Sequence, residues 1–141
     1  MNLSELLKKR LIEKFESDPT IIKNEIEISK RDLKSAKKML EISEWEWAHN
    51  AAYNSMLQAS RALMFAKGYR PLSQEHHVAV IAFMKAVYQN KFGEITIHAL
   101  DKARKQRNES IYDRTNSVSE NQSKNLVSKA EFFVTKTLEI L

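Results

Sequence analysis

Glycine and proline each occur only twice in 141 residues, and this scarcity constrains the fold more than any motif does. Tight turns draw on glycine for positive φ and on proline for a preset bend. A sheet protein with many turns therefore cannot be assembled from this chain, whereas long uninterrupted helices can. Asp18-Pro19, Gly68, Pro71 and Gly93 become the punctuation between them. Apolar residues recur between these marks at helical spacing, so the sequence predicts an all-α fold. It reads as a single up-and-down bundle of five to six helices, in one domain spanning residues 1–141.

The first segment, residues 3–15, lies within an N-terminal stretch, 1–17, that precedes the core bundle. It opens with Asn2 and Glu5 spaced as a capping box and carries Leu3, Leu7, Leu11 and Phe15 in one stripe. Asp18 as N-cap and Pro19 in the first turn start a second helix, 20–42, with Ile22, Ile26, Leu33, Ala36 and Leu40 inward. Ser43 and Glu46 have capping-box spacing for a third helix, 44–67, which Gly68 terminates. That helix shows a stripe of small residues, Ala48, Ala52, Ser55, Ala59 and Ala62, beside a second stripe of Tyr53, Met56, Leu63 and Met64. A helix apolar over so much of its surface belongs at the centre of a bundle.

A loop over 69–72 leads to a helix over 73–88 with Val80, Ile81, Met84 and Val87 inward. A fifth helix covers 94–111, followed by a polar joint. Ser117 and Glu120 suggest a capping box for the last helix, whose face is Leu126, Ala130, Phe133, Val134, Thr137 and Leu141.

Several function classes are excluded by what is missing. Without cysteine there are neither disulfides nor thiolate metal sites. No apolar run approaches the roughly 18–20 residues of a membrane span, and the N-terminus lacks the apolar core of a secretory signal, so a cytoplasmic protein is expected. His76 and His77 are adjacent and point about 100° apart on a helix, unlike the i, i+4 pair of a zinc motif. They suit helix-start polarity or local hydrogen bonding, and His49, beside Asn50 at the start of the third helix, could reach a site but better suits a surface or capping role. Two isolated glycines cannot form a phosphate-cradling loop, and neither a nucleophile elbow nor a paired-carboxylate site is present. No metal or cofactor is expected. Trp45 and Trp47 flank Glu46 and point to different sides, so at least one belongs to the core or an interface.

The candidate site is the stretch 103–113. The net charge of +5 is concentrated around Lys102, Arg104, Lys105, Arg107 and Arg114, where a phosphate would be attracted. Arg107 lies seven residues after Leu100 and four before Ile111, so it shares a helix face with both. A guanidinium on an apolar stripe must either pair with a carboxylate, Asp32 or Glu109 being candidates, or bind something else. Asn108 and Tyr112 lie nearby. Arg107 and Tyr112 are about 140° apart on an ideal helix, so both reach one cleft only where the helix ends or where subunits meet.

Several short motifs occur in a telling order. Ala51-Ala52-Tyr53-Asn54-Ser55-Met56, Ala59-Ser60-Arg61-Ala62-Leu63 and Lys67-Gly68-Tyr69 come first. His76 or His77 with Val80-Ile81 and Phe83 follows, then Arg107 to Asp113, then Ala130-Glu131-Phe132-Phe133. Over roughly residues 20–140 the chain resembles HEPN domains (higher eukaryote and prokaryote nucleotide-binding). The resemblance implies a helical bundle that dimerises and brings two arginine motifs together. It also implies a nucleotide or RNA ligand, and a minimal nucleotidyltransferase as partner in a toxin–antitoxin-like pair. Catalytic relatives are metal-independent ribonucleases with Arg followed by His. Arg107 and Asn108 match that motif, whereas Tyr112 stands in the histidine position, so the chain is similar to an Arg-x4-Tyr branch.

Metal-free RNA cleavage needs a group that takes and gives protons near neutral pH. Imidazole does so with a pKa near 6.5, and phenol, near 10, is a poor base. The site expectation is therefore Arg107, Asn108 and Tyr112, with Arg104, Lys105 and Arg114 as further phosphate binders and weak catalysis at most. The rival expectations are a non-catalytic helical interaction module and, third, a ligand sensor that uses the bundle core.

Overall fold

The computed structural model describes residues 1–72, 76–113 and 118–141, with the backbone alone for 108–113. Its elements are α1 (Leu3–Lys8), β1 (Ile12–Lys14), α2 (Pro19–Glu41), α3 (Trp45–Ala66), β2 (Tyr69–Pro71), α4 (His76–Val87), α5 (Gln89–Phe92), α6 (Glu94–Asp113) and α7 (Glu120–Ile140).

The small-residue stripe organises the packing. Ala48, Ala52, Ser55, Ala59 and Ala62 are fully buried, as are Tyr53, Met56, Leu63 and Met64 on the adjoining stripe. Short side chains let neighbouring backbones approach closely. α3 is thus the hub, flanked by α2 and α7 and packed by α4 and α6. Across the joint between α2 and α3, the buried Ser29 hydroxyl donates to Ser55 O at 2.7 Å, so its polarity is satisfied. On the far side the Phe133 ring stacks on Phe92 with centroids 4.4 Å apart. Burying one such ring contributes about 1.5–3 kcal/mol.

The helix ends show where local signals held and where they were reassigned. The Asn2–Glu5 capping box forms, and the Asp18 side chain accepts from the backbone of Thr20 and Ile21. The Ser43–Glu46 box does not form. Ser43 adopts φ 61, and the amides of Ser43 and Glu44 close back on Leu40 O and Met39 O. That is the Schellman closure of α2, so Ser43 ends one helix rather than beginning the next. At α7 the box belongs to Ser119 and Gln122, two residues beyond the expected pair, and Ser117 lies outside the described residues.

The N-terminal segment departs most from expectation. Its helix stops at Lys8 instead of continuing to residue 15, because Arg10 takes φ 57 and Leu11 N bonds back to Leu6 O. Residues Ile12–Lys14 then form a strand antiparallel to Tyr69–Pro71, where a loop was expected. Phe15 N donates to Gly68 O at 2.8 Å and Leu72 N to Leu11 O at 2.9 Å. Glu13 pairs with Arg70, whose guanidinium lies 4.8 Å from the Phe15 ring centre. Spacing of four residues along Leu7, Leu11 and Phe15 fits a helix. Backbone donors and acceptors waiting on residues 68–72 offset that preference.

Among the described residues no helix is long and apolar enough to cross a membrane.

Candidate functional site

Leu100 and Ala103 face the core from α6, and one turn later the same face presents Arg107, which is partly buried. Its Nε is sealed from solvent and has no hydrogen-bond acceptor. The guanidinium carbon stands 6.0 Å from the ring centre of Tyr53, at the outer limit of a cation–π contact. Tyr53 comes from the buried stripe of α3, and its hydroxyl lies 2.8 Å from Nδ1 of His77 near the start of α4. The two rings are 5.7 Å apart. Three helices thus converge on one cluster: Arg107, Tyr53 and His77.

The protonation states follow from burial and charge. Burial pushes the Tyr53 phenol well up, against the opposing charges of Arg107 and Arg104. The phenol keeps its proton at neutral pH. Burial lowers the His77 pKa, and Arg107, Arg61, Arg104 and His76 lower it further by repulsion. His77 is therefore a neutral imidazole at pH 7. When the phenol donates to Nδ1, the imidazole proton sits on Nε2.

His77 also borders a cavity of about 260 Å³ with Arg61, Glu25 and His76. Arg61 Nε lies 3.5 Å from Glu25 Oε1, yet burial still raises the Glu25 carboxyl above its usual range. Glu25 Oε2 is sealed without a partner. Arginines at 61, 104 and 107 outnumber the carboxylates of Glu25 and Asp101 here, so the region attracts anions. Among the described residues no group of three His, Asp or Glu could hold a metal ion.

The remaining expected residues fare unequally. Asn108 and Tyr112 follow Arg107 on α6, and their side chains lie outside the described residues, as does Arg114. Arg104 and Lys105 reach Asp101 at 3.3 and 3.8 Å, with Lys85 at 3.3 Å, so Asp101 already engages two of the expected phosphate binders. Burial disfavours ionisation of Asp101, yet these cations hold its carboxyl below the usual range. Asp32 is not the partner of Arg107, since it sits 3.6 Å from Arg31. The side chain of Glu109, the other candidate, is outside the described residues. Trp45 is partly buried and Trp47 exposed.

Two histidines are placed differently from expectation. His77 reaches across to α3 rather than serving its own helix start, and His49 is 3% exposed rather than at the surface. The available signal for His77 was its position just before Val80-Ile81, with Tyr53 on the most buried helix. Spacing along one helix does not reveal which other helix it will face.

A model of the HEPN domain matches residues 22–141. The crystal structure of TT1696 from Thermus thermophilus is similar, with a TM-score of 0.69 at 16% sequence identity, covering 85% of this chain and 98% of that one. At this identity the likeness concerns the fold alone. No curated protein matches the chain.

Proposed function

This chain belongs to the HEPN domain family, and from that membership we propose that it binds the phosphate of a nucleotide or of RNA at Arg107. The observation that carries the reading is a partly buried guanidinium whose Nε has no acceptor, set beside the Tyr53–His77 pair. A partly buried guanidinium offers a phosphate oxygen charge-assisted hydrogen bonds. Asn108 and Tyr112, following on α6, complete the binding face in this reading.

His77 takes the proton-transfer role that the arginine motif leaves open at Tyr112, in the tautomer that donates Nδ1–H to the Tyr53 oxygen and leaves the Nε2 lone pair free to accept a proton. It is neutral at pH 7, and imidazole is chemically suited to exchange protons with a ribose hydroxyl or a leaving oxygen. Cleavage there is metal-independent and slow. The same reading makes the chain a homodimer partnered by a minimal nucleotidyltransferase, in a toxin–antitoxin-like pair.

Fluorescence anisotropy with a labelled single-stranded RNA tests binding. Wild-type affinity should fall steeply with salt, and Arg107→Ala should weaken it by about tenfold or more. His77→Ala should keep binding and lose cleavage of the same RNA. Affinity indifferent to both salt and Arg107→Ala would refute phosphate recognition at this site.

A further inference from the structure

We propose that the cleft between α3, α6 and α7 is a second ligand site, built for a small phosphate monoester. It encloses about 260 Å³, near the lower end of small-molecule pockets, roughly 300 Å³, so its occupant is about the size of a sugar phosphate. None of its lining residues belongs to the Arg107 cluster. Lys102, which lines it, lies about 140° around α6 from Arg107, while Ala103, also in the lining, sits on the Arg107 side of that helix.

The walls carry positive charge and hydrogen-bond donors but no carboxylate. Lys102 comes from α6, Lys129 and Asn125 from α7, and His98 stands on the rim. Neighbouring cations are engaged by carboxylates: Lys85, Arg104 and Lys105 share Asp101, and Lys124 pairs with Glu120 at 2.9 Å. Lys102 and Lys129 have no such pairing among the described residues. Two free ammonium groups on opposite walls match a phosphate monoester, which carries about −1.5 to −2 at pH 7. Ala99 and Leu126 give the cleft an apolar floor for the organic part of the ligand.

His49 is the second, independent mark of a ligand. It lines the cleft from α3 while being only 3% exposed, and its Nδ1 is sealed with no partner. A sealed N–H without an acceptor is more costly than a sealed bare nitrogen. The proton therefore belongs on Nε2, and the neutral ring presents an N–H donor, which a phosphate oxygen accepts. An apolar residue would fill the same space on α3 but offer the cleft no N–H donor. The imidazole is thus explained by what it binds.

Ribose 5-phosphate is a suitable probe, with gluconate as a carboxylate of similar size. Calorimetric titration of the full chain should show binding of ribose 5-phosphate, and the ¹⁵N signals of the His49 ring should move with it. Lys102→Ala with Lys129→Ala should weaken binding by about tenfold or more. Both lysines lie away from the core, so that variant folds. In Arg107→Ala the ¹⁵N signals of the His49 ring should still move on addition of the probe, because the cleft lining does not include Arg107. No binding, or binding lost in Arg107→Ala but kept in the lysine variant, would overturn the site. Gluconate binding equally well would overturn the phosphate assignment.

Discussion

Replacing His49 with phenylalanine should make the fold markedly more resistant to acid. Burial pushes the His49 imidazole down from 6.5 to about 4. In the unfolded chain the same ring takes up its proton near 6.5. Between these values the unfolded state binds a proton that the folded state refuses, so stability falls as pH falls. The loss begins near 6.5 and levels off near 4. At 1.36 kcal/mol per unit this comes to about 3 kcal/mol, a large part of the ~5–15 kcal/mol that holds a domain together. His49→Phe removes the titrating group and keeps a ring in its place. Urea unfolding followed by circular dichroism, at about pH 7 and about pH 4, gives the stability of each protein at each pH. Wild type should lose about 3 kcal/mol more than the variant over that range. His77, also lowered, is present in both proteins and cancels in the difference. The raised carboxyls of Glu25 and Asp32 act in the opposite direction and cancel likewise. Identical pH dependence in the two proteins would refute the argument, because it would mean that the His49 ring gains its proton as easily folded as unfolded.

Other expectations follow from single contacts. Arg107→Met should change stability by less than about 1 kcal/mol, since Nε has no internal acceptor to lose; a loss of about 3–5 kcal/mol in urea unfolding would instead reveal a buried ion pair. Tyr53→Phe keeps the ring and deletes the 2.8 Å bond to His77, at a cost of about 1–3 kcal/mol; an unchanged melting temperature would mean the bond contributes nothing. Asp18→Ala removes the cap that accepts from Thr20 and Ile21 and should cost about 1 kcal/mol by thermal unfolding.

The candidate site was half legible. Arg107 stood out because a guanidinium on the face of Leu100 and Ile111 violates the helical pattern, and such a violation is visible along one helix. Tyr53 and His77 did not stand out. A tyrosine on a buried stripe reads as core, and a histidine near a helix start reads as local polarity. Their 2.8 Å contact joins residues 24 apart in sequence, a pairing that no periodicity records. His49 misled for the same reason. Its position near the start of α3 suggested exposure, and α6 and α7 close over it.

The sequence by itself determined that the chain is helical, that α3 is the hub, and where most helices begin and end. Those properties are local: side-chain size and polarity at a spacing of three to four residues set the buried face, and caps act within one turn. The tertiary structure decided the rest. It turned residues Ile12–Lys14 into a strand because Tyr69–Pro71 offered backbone partners, and it used Ser43 to close α2 instead of opening α3. It also set an arginine, a tyrosine and a histidine from three helices against one another. Each of these outcomes depends on groups distant in sequence competing for the same hydrogen bond or the same buried space. That competition is settled only when the helices pack.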